Sequence, residues 1–131
     1  MPEGTRPSIS QTRVLLVDDN PGFRQRMARL LQLQTDLAVV GEAADGNEAI
    51  TLTRELHPDV VLMDFRMTGL DGFTAARTIT TEFPNVKVFM LTAFPGALDP
   101  DKVAKNGIAG LLIKDQPASE ILAAIRKSVT R

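Results

Sequence analysis

Five polar residues of this chain lie just past short apolar runs, and each could take part in metal or phosphoryl chemistry. They are the acids Asp18, Asp19 and Asp64, together with Thr92 and Lys114. Three carboxylates gathered in one place cannot all stay ionised unless a positive charge lies beside them. A small set of oxygen ligands suits Mg²⁺ better than Ca²⁺ or zinc, while a lysine and a hydroxyl suit phosphoryl oxygens. If the fold brings them together, these residues predict a magnesium-dependent phosphoryl-transfer site.

The apolar runs alternate with helical patterns five times along the chain. The predicted strands are Arg13–Val17, Leu37–Ala44, Val60–Met63, Val86–Leu91 and Gly110–Ile113. The first predicted helix begins at Pro21 with Asn20 as its cap, and Asp99 is expected to cap the fourth. The other predicted helices are Gly46–Leu56, Phe73–Glu82, Pro100–Asn106 and Pro117–Val129. Five such pairs predict an α/β fold with a doubly wound parallel sheet and helices on both faces.

The turn after the first strand decides between two sheet topologies. A dinucleotide-binding sheet expects six strands and a glycine-rich first turn, but residues 17–22 form an acidic turn that would repel a pyrophosphate. The flavodoxin-like strand order 2-1-3-4-5 is therefore preferred. In that order ligands bind beyond the carboxyl ends of the strands, between strands one and three. The five polar residues are expected to meet there.

Composition bounds the remaining possibilities. Fifteen basic and sixteen acidic residues give a net charge of −1, so nothing favours nucleic-acid or membrane binding by this segment. The chain has no cysteine, which excludes disulfides and thiolate chemistry. Residues 1–12 are rich in Pro, Gly, Ser and Thr and are interpreted as a disordered lead without the apolar stretch of a signal peptide. The expectation is one domain over residues 13–131 in a cytoplasmic protein.

Four segments in register carry a resemblance to a known family. They are Val14–Asp19, Val61–Asp64, Leu91–Ala93 and Gly110–Asp115. In order and spacing they resemble the signatures of response regulator receiver domains of two-component systems, which have the flavodoxin-like (CheY-like) fold with five helices. The resemblance covers about residues 13 to 130, nearly the whole predicted domain.

The resemblance implies a role for each site residue. Asp64 would be the nucleophile that becomes the aspartyl phosphate. The ligands of Mg²⁺ would be Asp18, Asp19, Asp64 and the backbone carbonyl of Arg66. The contacts to the phosphoryl oxygens would come from Thr92, Lys114 and the amide of Ala93. Apart from phosphorylating itself from a phosphodonor and losing that phosphate again, such a domain is not an enzyme.

The same resemblance implies partners. The donor would be a phosphohistidine of a sensor histidine kinase, and a homodimer is compatible with the family. Lys114 is followed by Asp115 rather than by proline, as in the LuxR/NarL-type subgroup, whose output domain is a DNA-binding helix-turn-helix. That domain is not present in these residues, and direct nucleic-acid binding by this segment is not expected.

Alternative functions remain open at this point. Leu111 occupies the position where the family often has an aromatic switch residue. One alternative is therefore an atypical receiver that binds partners without being phosphorylated. A haloacid dehalogenase-type phosphatase would need an acid two positions after the nucleophile, where this chain has Arg66. A flavodoxin would need a first loop rich in Ser, Thr and Gly instead of an acidic one. His57, the single histidine, is interpreted as a loop residue far from the site.

Overall fold

The computed structural model describes residues 11–67, 69–94, 96 and 98–129. Its strands are β1 (Thr12–Val17), β2 (Leu37–Ala43), β3 (Val60–Asp64), β4 (Lys87–Thr92) and β5 (Gly110–Ile113). They form one parallel sheet in the order β2-β1-β3-β4-β5. The predicted flavodoxin-like order is therefore confirmed.

Five helices connect and follow these strands. They are α1 (Pro21–Gln32), α2 (Gly46–Leu56), α3 (Gly72–Glu82), α4 (Pro100–Lys105) and α5 (Ala118–Val129). The side chains of Asn20 and Asp99 accept backbone N–H groups of α1 and α4, as predicted for the caps of these helices. No helix in the described residues is both long enough and apolar enough to cross a bilayer.

The core lies on both faces of the sheet because successive side chains of a buried strand point in opposite directions. Val14 and Leu16 of β1 face one layer, where they pack with buried residues of α1 and α5. Leu15 and Val17 face the other layer, with α2, α3 and the partly buried Val103 of α4. Within the described residues the sheet is thus covered on both faces, and its strand ends are free to form a polar site.

Several element boundaries differ from the predicted ones by one residue. Asp64 and Thr92 are the last residues of β3 and β4 instead of the first residues beyond them, because Asp64 pairs with Leu91 and Thr92 with Ile113. At the N-terminus, residues 1–10 of the predicted lead lie outside the described residues. Thr12 already belongs to β1, where its amide donates to the backbone carbonyl of Asp36 at 2.9 Å.

Gly72 begins α3 in a space that excludes a side chain. A Cβ added there would lie 2.9 Å from the carbonyl oxygen of Asp64 and 3.2 Å from Cα of Phe65, both backbone atoms of the site strand and its loop. We expect Gly72→Ala to lower the free energy of unfolding by about 1–3 kcal/mol, as overpacking commonly does. Urea unfolding measures this change.

Gly96 supplies the matched control for that substitution. A Cβ added at Gly96 meets no atom within 4 Å, so Gly96→Ala should change stability by no more than about 0.5 kcal/mol. Equal urea midpoints for the two variants would show that the loop after β3 gives way easily, contrary to the close packing described above.

Candidate functional site

The carboxyl ends of the central strands bring three acids together. Asp18 follows β1 directly, Asp19 comes next, and Asp64 ends the neighbouring strand β3. One carboxylate oxygen from each lies within 4.8 Å of the others. Asp18 and Asp64 are only 3% and 7% exposed, whereas Asp19 is open to solvent. Two buried carboxylates with a third at the rim create a strong local excess of negative charge.

Lys114 supplies the positive charge inside this pocket. It follows β5, and its backbone amide donates to the carbonyl of Thr92 at 2.8 Å, which continues the pairing between β4 and β5. Its ammonium Nζ lies 2.6 Å from Oδ2 of Asp18 and 3.3 Å from Oδ2 of Asp64. The ammonium contacts two of the three carboxylates, and one positive charge leaves the ionised cluster with a net negative charge.

Asp18 has one satisfied and one incompletely satisfied oxygen. Its Oδ1 accepts the backbone N–H of Asn20 at 2.9 Å. Its Oδ2 is buried and forms an ion pair with the Lys114 ammonium at 2.6 Å, but it has no hydrogen-bond partner among the described residues. A buried carboxylate oxygen in this state is suited to a cation. The donor set therefore fits a hard divalent ion such as Mg²⁺.

The environment of Asp64 opposes its ionisation in the metal-free protein. Burial raises the pKa of the Asp64 carboxyl, and the charge of Asp18 raises it further, against the lowering effects of the Arg66 amide and Lys114. The Arg66 backbone N–H donates to Asp64 Oδ1 at 3.1 Å. For Lys114, burial alone would lower the pKa, but Asp18 and Asp64 outweigh it and the pKa is raised. Lys114 therefore stays charged. The ionised form of Asp64 is disfavoured, and additional positive charge nearby would stabilise it.

Because the ionised form of Asp64 is disfavoured, replacing it by the neutral isostere asparagine should stabilise the fold in a pH-dependent way. Because the pKa of Asp64 is raised on folding, its ionisation costs stability as the pH rises from the unfolded value of about 3.9 through the folded value. Without metal at pH 7, Asp64→Asn should raise the unfolding temperature by a few degrees, and this advantage should shrink as the pH falls toward 4. Calorimetry over that pH range measures it. Asp115→Asn, which changes an exposed carboxylate, is the control.

Thr92 lies at the same edge of the sheet and is almost fully buried. Its hydroxyl oxygen accepts the backbone N–H of Phe94 at 3.0 Å, so the side chain is held toward the loop that follows β4. Ala93, which carries the predicted amide contact, is exposed between them. On the same rim the Arg66 guanidinium lies over the Phe94 ring, 5.2 Å from its centroid. Arg66 lies two residues after Asp64 and Ala93 follows Thr92, and the predicted roles of the Arg66 carbonyl and the Ala93 amide stay predictions.

Two neighbours of the acidic site, both in the first turn of α1, were not predicted from the sequence. Arg24 donates to the backbone carbonyl of Asp18 at 2.6 Å and to Glu42 Oε1 on β2 at 2.9 Å. The ring of Phe23 lies beside the Lys114 ammonium, 4.5 Å from Nζ to the centroid. The cap at Asn20 and the proline after it were the available signals, since they start the helix directly after the acids. His57 ends α2 in a left-handed conformation, outside the acidic cluster.

Comparison with known proteins agrees with this arrangement. A family model described as the response regulator receiver domain matches residues 14–126. The transcriptional regulatory protein LiaR of Bacillus subtilis (strain 168) is 44% identical over 117 residues, 87% of this chain and 54% of LiaR. The response regulator protein VraR of Staphylococcus epidermidis is 39% identical over 116 residues, 88% of this chain and 56% of VraR. The chain thus spans about half the length of the curated relatives it matches.

Solved structures give the same result. The signal receiver domain of NarL from Mycobacterium tuberculosis has a TM-score of 0.83 and 35% identity, covering 93% of this chain and 99% of that one. A LuxR-family response regulator from Aurantimonas sp. SI85-9A1 has a TM-score of 0.84 and 35% identity, covering 90% of this chain and 84% of that one. With the family match over most of its length, the chain belongs to the response regulator receiver domain family, among relatives of the LuxR/NarL type.

Proposed function

We propose that this receiver accepts a phosphoryl group on Asp64 from a phosphohistidine of a sensor kinase, with Mg²⁺ bound by the acids of the site. The observation that carries the proposal is the meeting of three carboxylates within 4.8 Å of one another with the Lys114 ammonium 3.3 Å from Asp64 Oδ2. Asp64 is itself the last residue of the central strand β3, and the resemblance to receiver domains makes it the nucleophile. An oxygen of Asp64 forms a bond to phosphorus as the bond to the imidazole nitrogen breaks, and the electron pair stays on that nitrogen.

The other residues bind and neutralise charge. Asp18, Asp19, Asp64 and the Arg66 carbonyl would hold Mg²⁺, which when bound offsets the charge of the carboxylates and of the phosphoryl oxygens. Lys114 keeps its charge in the pocket and can contact a phosphoryl oxygen. The Thr92 hydroxyl accepts the amide of Phe94 and keeps its own hydrogen to donate to a phosphoryl oxygen, and the Ala93 amide is the remaining donor. Positioning and charge neutralisation are most of what phosphoryl transfer needs.

The wider role is also a proposal. We propose a domain over residues 13–131 that works in the cytoplasm, where ATP would be available to phosphorylate the histidine kinase. Its output would be a helix-turn-helix domain of the LuxR type, because the LuxR-type relatives are longer than this chain and include transcriptional regulators. A second copy of the phosphorylated chain is a further proposed partner. Sedimentation with and without beryllofluoride would test it.

Phosphorylation from a small donor tests the proposal without knowledge of the kinase. Acetyl phosphate with Mg²⁺ should give one phosphoryl adduct by intact mass, and the same mixture with excess EDTA should give almost none. Borohydride trapping followed by peptide sequencing should place the adduct on the segment that contains Asp64. An adduct that forms equally well in EDTA would reject the metal-dependent mechanism.

A second candidate function is favoured by Leu111. This residue lies on β5, is 37% exposed, and lacks the aromatic ring that the family often has at this switch position. The alternative is therefore a receiver that binds a partner without phosphorylation. A chain that binds Mg²⁺ but gives no adduct with acetyl phosphate would support that alternative over the proposed function.

A further inference from the structure

The Lys114 ammonium is enclosed on three sides. Two sides are carboxylates, with Oδ2 of Asp18 at 2.6 Å and Oδ2 of Asp64 at 3.3 Å from Nζ. The third side is the ring of Phe23, whose centroid lies 4.5 Å from Nζ. An ammonium has three N–H donors, and the face of an aromatic ring attracts a cation through its quadrupole. The lysine side chain is only 18% exposed, so little water competes for these contacts.

The start of α1 places the Phe23 ring here. Asn20 caps the helix, and its side-chain oxygen accepts the backbone N–H of Phe23 at 3.1 Å. The cap itself is tied to the acids, since the Asn20 amide donates to Oδ1 of Asp18. The backbone of Phe23 is therefore tied to the acidic turn by two hydrogen bonds, each from a backbone N–H to a side-chain oxygen. The ring extends from this anchored position to the Lys114 ammonium.

The three partners of the ammonium differ in their ability to bind Mg²⁺. Asp18 and Asp64 are also the proposed ligands of Mg²⁺, so a bound metal would compete with Lys114 for their oxygens. A neutral hydrocarbon ring does not bind Mg²⁺ in preference to oxygen ligands. Contact between Phe23 and Lys114 would thus persist if the carboxylates bound a metal ion.

We propose that Phe23 is a positioning residue that holds the Lys114 ammonium in the pocket independently of the carboxylates, ready to meet a phosphoryl oxygen. This inference rests on the proposed function and goes beyond it by assigning a part to an apolar residue outside the acidic set. A displaced ammonium would leave developing negative charge on the phosphoryl group without its nearest cation.

A packing role for Phe23 makes a different prediction. The ring is half-buried and also packs against the core layer of α1 and α5, and it has the guanidinium of Arg26 at 5.9 Å from its centroid. Packing depends on the size of the ring, whereas attraction for a cation depends on its electron density. Stepwise fluorination lowers the electron density of the ring with little change in its size.

The test places phenylalanine and its mono-, di- and trifluorinated forms at position 23 and measures phosphorylation by acetyl phosphate at saturating Mg²⁺. The rate should fall with each added fluorine, by about fivefold to twentyfold in total, as expected for a desolvated cation over an aromatic ring. The logarithm of the rate should decrease steadily along the series. Arg26→Ala removes the other cation from the same ring and should leave the rate unchanged. A rate that is constant across the fluorinated series would overturn the proposal.

A second readout needs no activity. The ε-methylene protons of Lys114 should show an upfield ring-current shift in the NMR spectrum, both without metal and with Mg²⁺, and Phe23→Leu should remove it. Loss of this shift on adding Mg²⁺ to the wild type would contradict the proposal. A wild type that forms no adduct at all would instead reject the proposed function, so the two failures are distinguishable.

Discussion

Asp64→Asn is expected to abolish the phosphoryl adduct that acetyl phosphate forms on the wild type. An amide oxygen is a poor nucleophile and cannot give a stable acyl phosphate, while asparagine keeps the shape of the side chain. Asparagine can still accept the Arg66 backbone N–H that contacts Asp64 Oδ1 at 3.1 Å. The loss of reaction would therefore reflect chemistry and not a collapsed site. Intact mass of the folded variant after incubation with Mg²⁺ and acetyl phosphate measures it.

The control for this result is a neighbouring acid that can be neutralised in the same way. Asp71→Asn changes a carboxylate that caps α3, a role that asparagine also fills, so it should form the adduct as the wild type does. An adduct that persists in Asp64→Asn would place the nucleophile elsewhere. Asp18 and Asp19 would be the first candidates, because their oxygens share the same cluster.

Lys114→Met is expected to slow phosphorylation by about 100-fold or more. One charged donor at a developing oxyanion contributes a factor of about 10²–10³ in comparable sites. The methionine keeps the length of the side chain but removes the ammonium that lies 3.3 Å from Asp64 Oδ2. Rates with acetyl phosphate, measured at saturating Mg²⁺, give the effect on the chemical step.

The same variant should bind Mg²⁺ at least as tightly as the wild type. The ammonium occupies the space beside two proposed ligand oxygens, and its removal leaves their charge for the metal. A titration followed by NMR shifts of the site amides measures this, with Lys127→Met on α5 as the exposed control. Equal phosphorylation rates in Lys114→Met and wild type would remove Lys114 from the proposed mechanism.

The strand pattern predicted the fold and the place of the site for a simple physical reason. Buried parallel strands are continuous apolar runs, so their ends can be located where polar residues begin, and those ends lie on one edge of the sheet. The sequence alone therefore predicts a site that contains Asp18, Asp64, Thr92 and Lys114. The two prolines after β4 likewise delayed the predicted fourth helix to Pro100, where α4 begins.

The contacts between helices and the site were not predictable in the same way. Whether Phe23 faces the core or Lys114 depends on the rotation of α1 about its axis, and this is set by packing over many residues. The route of Arg24 to both Asp18 and Glu42 depends on the pairing of β1 with β2, which contains an irregularity between Val14 and Leu15. Such contacts follow from tertiary geometry that no short motif contains.

A crystal structure of the chain with Mg²⁺ and beryllofluoride tests the proposed site directly. We expect beryllium attached to the carboxylate of Asp64, with a magnesium ion bound by oxygens of the acidic cluster and the Lys114 ammonium beside a fluorine. Magnesium bound away from Asp18, Asp19 and Asp64, or beryllofluoride on a different carboxylate, would contradict it.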